Sequence, residues 1–149
     1  LADNDIDGCI FTSLHNICYL SGFLYCYFGR KYALVLDGTQ ATTVTPAIDG
    51  GQPGRRGHGE NITYTDWRKD SYFRALGQLL PGIKRLGVEF DHVSLELHQQ
   101  LIEVFPGVEF VDISQEIMEG MRSAISEGRF AAWEADFHAL RADGDIPPM

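Results

Sequence analysis

Between Ile62 and Ile113 the chain twice reads as an extended apolar segment followed by an amphipathic helix, and this order constrains the fold more than any other feature of the sequence. Ile62 to Thr65 predicts a strand, and Trp67 to Leu80 a helix with Tyr72, Phe73, Leu76, Leu79 and Leu80 on one face, ended by Pro81-Gly82. Arg85 to Phe90 predicts the next strand. Ser94 to Phe105 follows as a helix capped by Ser94 with Leu97, Leu101, Ile102 and Phe105 inward, and Pro106-Gly107 stops it before a last strand from Val108 to Ile113. A strand that returns to its sheet through a helix pairs in parallel, because tight turns join only antiparallel neighbours. Upstream the signature is the opposite one: Lys31 to Leu36 and Ala41 to Pro46, separated by Asp37-Gly38-Thr39-Gln40, predict a hairpin. Gly8 to Ser13 predicts a buried strand, Leu14 to Leu20 a short helical turn or loop, and Asp49 to Gly59, rich in Gly and Arg, an exposed connection or the start of a short helix. The expected fold is α/β, a three-layer mixed β-sheet with helices on both faces.

From Gly8 to Gly29 there is no Asp, Glu, Lys or Arg. The run is long enough to span a membrane, but Thr12, Ser13, His15, Asn16, Ser21 and Gly22 break it, and no basic region precedes it as in a signal peptide. Burial inside a water-soluble fold is the expectation. Cys9, Cys18 and Cys26 lie in this run, without a Cys-x-x-Cys pair, and predict buried reduced thiols in a cytoplasmic protein. With 149 residues the chain has room for one core plus a tail. Its formal charge of −9 disfavours nucleic acid and anionic membranes, both of which attract basic surface.

The uncharged run closes on Arg30, flanked by Phe28 and Lys31. A guanidinium at the lip of an aromatic surface suits a carboxylate, because its planar fork gives two parallel charge-assisted hydrogen bonds. Phe28 offers a flat face for a planar cationic group. The same triplet also reads as a core ring beside a solvated cation, and spacing alone does not separate the two. Elsewhere the chemistry is sparse. His92 and His98 lack the i, i+4 spacing of a helical metal pair and read as surface residues, His58 stands in a glycine-rich loop, and Gly50-Gly51 belongs to no phosphate-binding pattern. No catalytic residue, metal ligand or cofactor site is assigned.

The run His15-Asn16-Ile17-x-Tyr19-Leu20-Ser21-Gly22-Phe23 resembles the N-terminal domain of the creatinase, prolidase and X-Pro aminopeptidase family. Three further pieces resemble its creatinase branch over about Ile6 to Asp112: Phe23-Leu24-Tyr25-Cys26-x-Phe28-Gly29-Arg30-x-Tyr32-Ala33-Leu34-Val35, Ile48-Asp49-Gly50-Gly51-Gln52-Pro53-x-Arg55-Arg56 and Tyr64-Thr65-Asp66-Trp67. The resemblance implies a creatinase/prolidase N-terminal domain fold over residues 1–113, and a metal-free hydrolysis of creatine to sarcosine and urea whose catalytic His and Glu residues belong to a separate C-terminal domain. It also implies that Phe28 and Arg30 bind substrate, creatine or a similar small guanidino carboxylate, in the active site of a second subunit of a homodimer. The chain would then be inactive alone. A small-carboxylate-binding or dimerisation module, or the N-terminal domain of a prolidase, is the alternative. Gly54 departs from the family pattern, which often has a bulky aromatic there, and puts in question the dimer or lid contact of the Asp49 to Arg56 loop. The family pattern would also place the end of a helix at Leu1-Ala2-Asp3-Asn4, so a preceding helix is expected.

Residues 114–149 do not continue this resemblance. Ile117, Met121 and Ile125 share one helical face, and Phe130, Trp133, Phe137 and Leu140 another after Gly128, which predicts an amphipathic helical hairpin or bent helix. From about Glu119 to Pro148 this tail resembles the C-terminal end of bacterial tRNA-guanine transglycosylase, without that enzyme's catalytic aspartates or zinc-binding cysteines. Packing against the open face of the sheet is its expected role, and an aromatic stripe free for a dimer or partner to dock on is the alternative.

Overall fold

The computed structural model describes residues 6–26, 29–38, 40–49, 51–65, 67 and 71–115. Phe28 and the tail helices expected beyond residue 115 lie outside the described residues.

The described chain runs β1 (Gly8–Phe11), α1 (Leu14–Ser21), β2 (Ala33–Asp37), β3 (Gln40–Pro46), a 3₁₀ turn (Ala47–Asp49), α2 (Gln52–Arg56), β4 (Glu60–Tyr64), α3 (Ser71–Leu79), β5 (Arg85–Val88), α4 (Leu95–Val104) and β6 (Glu109–Asp112). One six-stranded sheet results, in the order β4-β3-β2-β1-β5-β6. The hairpin expected around Asp37 and Gln40 is present, with those two residues paired across its mouth, and β1 is also antiparallel to β2. Each crossover yields a parallel pair: β4 on β3, β5 on β1 and β6 on β5. As a consequence β1, β3, β4, β5 and β6 all end at one edge of the sheet, where β2 begins.

Alternation along the strands divides the core into two layers. Ile10, Ala33, Val35, Val44, Leu86 and Val88 pack with Tyr72, Phe73, Leu76 and Leu80 from α3 and just beyond it, and with Leu101 and Phe105 from α4 and its end. Cys9, Phe11 and Leu34 face the other way, against Ile17 of α1 and Phe23, Tyr25 and Tyr32. This is the three-layer arrangement the strand–helix order predicts. Helix α1 is a full two turns rather than a loose turn: Ser13 caps it by accepting from the Asn16 N–H, and Gly22, at φ 71°, ends it with its own N–H on the Cys18 carbonyl. That left-handed φ is the physical reason for glycine after Tyr19-Leu20-Ser21. Ser94 caps α4 as expected, accepting from the Leu97 N–H.

Several expectations need correction. Trp67 does not open a buried helix: it lies in a turn, 92% exposed, and α3 begins at Ser71. Ile102 points outward at 46% exposure, because Leu101 and Phe105 already fill the α4 contact with the sheet and Ile102 falls off that stripe. Of the three cysteines only Cys9 is buried; Cys18 is half-buried and Cys26 is exposed, since in the stretch after α1 Phe23 and Tyr25 turn into the core while Leu24 and Cys26 turn outward. His98 is half-buried, its ring edge-on to Phe110.

Candidate functional site

In open α/β sheets ligands meet the carboxyl ends of the strands, where loops diverge. Here that edge gathers Thr12 and Ser13 after β1, Ala47 to Asp49 after β3, Thr65 and Trp67 after β4, Glu89 and Phe90 after β5, and the approach to β2 through Arg30, Lys31 and Tyr32. The residue singled out from sequence as a carboxylate hook therefore stands at the edge where a ligand is expected.

Two phenols fix the segment that carries it. Tyr64, at the end of β4, donates to the Lys31 carbonyl at 2.9 Å, and Tyr72, on α3, donates to the Tyr32 carbonyl at 3.2 Å. The two rings meet edge-on at 5.5 Å, and Tyr72 meets Phe73 the same way at 5.1 Å. The Lys31 ammonium lies over the Phe73 ring at 5.9 Å. Backbone that has not yet entered a strand is thus held from two elements. Arg30, half-buried, has an interaction of its own within the fold.

Asp49, at the end of the 3₁₀ turn, faces this segment. Tyr32 is 4% exposed, with its ring stacked on Tyr25 at a centroid distance of 3.8 Å. Burial raises the Tyr32 pKa far above the ordinary phenol value, and the Asp49 carboxylate adds to the rise. Hydrogen-bond geometry is nevertheless not reached: among the described residues, neither Tyr32 Oη nor Asp49 Oδ2 has a partner. The Tyr64 pKa is also raised by burial, with Arg30 pulling it down and Asp49 pushing it up. One cation and one anion therefore act on the same phenol. Beside them Ala47, Ile48, Thr65 and Trp67 line a cleft of about 330 Å³, and Ile48 is 70% exposed.

A second polar centre lies farther along the same edge. Glu89, 1% exposed, accepts at Oε2 from the N–H groups of Thr12 (2.5 Å) and Ser13 (2.8 Å), and at Oε1 from the Ser13 hydroxyl (2.6 Å) and the Asn16 amide. Burial alone would raise its pKa; the bonds from Ser13, Thr12 and Asn16 outweigh it and hold the carboxyl below its ordinary range. The Thr12 hydroxyl also meets His92 Nδ1 at 2.9 Å. Glu89 thus fastens the first turn of α1 to the end of β5, and α1 in turn sets where the chain toward Arg30 departs.

Sequence reasoning located Arg30 but missed Tyr32, Asp49, Tyr64 and Glu89. The only available signal for Glu89 was a carboxylate directly after the apolar run Leu86-Gly87-Val88, a position that in most chains faces solvent. His58 is exposed, and its N–H bonds to the Ser21 carbonyl, which ties the α2 loop to the end of α1. A Cβ built on Gly54 meets only Asn61 Cβ, at an ordinary 3.6 Å, so the backbone there admits a side chain's first carbon without a clash. Among the described residues no three His, Cys, Asp or Glu side chains gather as metal ligands, and no helix is long and apolar enough to cross a membrane.

Comparison with known proteins gives these residues a context. The Creatinase/Prolidase N-terminal domain family matches residues 1–124. A creatinase from a Bacillus species is 45% identical over 122 residues, which cover 79% of this chain but only 30% of that enzyme. The queuine tRNA-ribosyltransferase of Ruegeria pomeroyi is 69% identical over 35 residues, 24% of this chain and 9% of that protein. Among solved structures, a proline dipeptidase from Streptococcus pneumoniae superposes with a TM-score of 0.73 at 25% identity, over 82% of this chain and 90% of that one. The N-terminal domain of an X-Pro dipeptidase from Streptococcus pyogenes superposes with a TM-score of 0.70 at 20% identity, over 80% and 91%, a likeness of fold.

Proposed function

Because the chain belongs to the Creatinase/Prolidase N-terminal domain family, we propose that it is the non-catalytic, substrate-completing domain of a creatinase-like amidinohydrolase, the class of enzyme that hydrolyses creatine to sarcosine and urea. Arg30 pairs with the substrate carboxylate through its fork of N–H donors, and Phe28 packs beside the planar guanidino group. Both reach into an active site whose base and charge-stabilising groups come from a catalytic domain of a second subunit in a homodimer. Water attack on an amidino carbon needs a positioned base together with stabilisation of developing charge, and the sequence offers no constellation that supplies both. On this reading the chain turns over no creatine alone.

The observation that carries the reading is the clamp on the Arg30 segment. Two buried phenols from separate elements hold the carbonyls of Lys31 and Tyr32, so the guanidinium starts from backbone already fixed at the ligand-facing edge of the sheet. Pre-organisation of that kind lowers the ordering cost of capturing a small anion. The partition into a domain of residues 1–113 and a helical tail of residues 114–149 belongs to the same proposal, supported by the separate relative that a 35-residue stretch of this chain matches. A reducing, cytoplasmic setting fits cysteines that form no disulfide, one of them exposed.

The test is urea release from creatine by this chain with and without a separately expressed creatinase C-terminal domain, repeated with Arg30→Ala. The expected result is no urea from the chain alone, release in the mixture, and loss of most of that release in the variant. A folded chain that never complements the catalytic domain overturns the proposal.

A further inference from the structure

We propose that the cleft between the β2–β3 hairpin and the end of α3 is a second binding site, at the sheet edge opposite Arg30, and that it takes the cationic group of a small alkylguanidinium. It stands apart from the carboxylate reading of Arg30 and does not rest on it.

The cleft exists because of where α3 stops. In the hairpin Val35 pairs with Thr42 and Asp37 with Gln40, and alternation puts all four on the sheet face that Ala33, Val35 and Val44 turn toward α3. The helix ends at Leu79, and Pro81 and Gly82, the latter at φ 73°, turn the chain away before the last of these pairs is covered. A space of about 220 Å³ is left, with the buried Val35 and Thr42 as its floor and Asp37 and Gln40 facing Gln78 and Leu79 across it. Asp37, Gln40 and Gln78 are exposed, so a ligand enters from solvent. Strand β2 begins at the edge that carries Arg30 and ends at Asp37, which separates the two sites by the length of the strand.

Its polar groups are of one kind. Asp37 is the only charged residue among those that line the cleft. Thr42 is 4% exposed, and its hydroxyl makes no hydrogen bond among the described residues. The Gly77, Gln78 and Leu79 carbonyls at the end of α3 accept no backbone hydrogen bond among the described residues, and Pro81 has no N–H to give the first of them. The end of a helix is also the negative pole of its dipole, and α3 has no basic side chain in its last turn. One carboxylate and a group of unused acceptors suit a ligand with a single positive charge and many donors. A guanidinium offers five N–H groups in one plane. Val35, Leu79 and Pro81 give its alkyl stem an apolar wall. A guanidino acid brings a carboxylate as well, which meets Asp37 and the helix end with the wrong sign, so the cleft selects against it.

The test is titration of the whole chain with methylguanidinium, followed by amide NMR shifts, with sodium and creatine as comparison probes at matched ionic strength. Saturable shifts are expected at Asp37, Gln40, Thr42, Gln78 and Leu79, with residues 30–33 unmoved, and sodium and creatine should each bind there at least tenfold more weakly. Asp37→Asn should weaken methylguanidinium roughly tenfold, the scale of one charge-assisted contact. Thr42→Val, which keeps the side chain's shape and removes the hydroxyl, should weaken it severalfold, and near-UV circular dichroism confirms that both variants fold. Asp91→Asn neutralises an exposed carboxylate at the other edge of the sheet and should leave the affinity unchanged. Shifts that do not saturate, that sodium reproduces at equal concentration, or that Asp91→Asn weakens as much as Asp37→Asn does would mean counter-ion attraction to a chain of charge −9 and overturn the site. Creatine binding at these residues as tightly as methylguanidinium would overturn the selection against a carboxylate.

Discussion

Glu89 and Asp49 are both carboxylates at the carboxyl edge of one sheet, and they are treated in opposite ways. Glu89 is almost wholly buried and receives donors from Thr12, Ser13 and Asn16, so its charge is shared among groups that would otherwise be orphans at the start of α1. Asp49 is half-buried, and its inner oxygen has no hydrogen-bond partner among the described residues. A satisfied buried network stabilises and specifies one arrangement, whereas an incomplete one is a standing cost that folding tolerates. The contrast teaches where to look: the polar centre with the more hydrogen bonds holds the fold, and the one with fewer is the candidate for recognition.

The strongest way to break this comparison is to remove Glu89. Glu89→Leu leaves the N–H groups of Thr12 and Ser13, and the Asn16 amide, without their acceptor inside the fold, and should cost about 3 kcal/mol or more of unfolding free energy. Urea denaturation measures it; a loss below about 1 kcal/mol would show that solvent takes over the role. Acid gives the same test without mutation. The folded-state pKa of Glu89 is depressed, so its contribution is fully present above the unfolded value of 4.5 and is lost as pH falls through the folded value. Stability of the wild-type chain should therefore fall more steeply below that value than stability of Glu89→Gln, which has no proton to gain at this position.

A smaller effect is expected at the clamp that holds the Arg30 segment. Tyr64→Phe keeps the ring contact with Tyr72 but removes the bond to the Lys31 carbonyl, and should lower stability by about 1 kcal/mol. Its sharper readout is local. Amide hydrogen exchange across residues 30–33 should accelerate in the variant while β5 and α4 stay protected, and uniform acceleration would mean that Tyr64 serves the whole core and has no special hold on Arg30.

The fold was legible in the sequence because strand–helix–strand order leaves few topologies, and because Ser13, Gly22 and Ser94 are local signals that act where they stand. Burial was legible where a stripe was unambiguous, as at Tyr72, Phe73 and Leu76, and failed at Ile102, one position off the face that the sheet covers. Arg30 could be singled out because the first charge after a long uncharged run is visible in one dimension. Its supports could not be. Tyr64 and Lys31 are 33 residues apart, Tyr72 and Tyr32 are 40 apart, and Glu89 lies 77 residues from Thr12. Such pairs exist only once the sheet order has placed β4, β3, β2, β1 and β5 side by side.

Asp49→Asn carries the smallest expected stability effect and tests the comparison most finely. If Asp49 were a second structural carboxylate, neutralising it would destabilise the chain as removing Glu89 does. Its inner oxygen makes no hydrogen bond among the described residues, so the substitution removes a partly desolvated charge and supplies an amide donor. The unfolding free energy should therefore change by no more than about 0.5 kcal/mol in either direction, with stabilisation the more natural sign. Loss of Asp49's charge also removes one of the causes that raise the Tyr32 pKa, so the Tyr32 phenol should ionise at lower pH in the variant, followed by the carbon-13 shift of its ring carbon bearing oxygen. A destabilisation approaching that of Glu89→Leu would place both carboxylates in the same structural class and remove the physical basis for treating the Arg30 edge as a recognition surface.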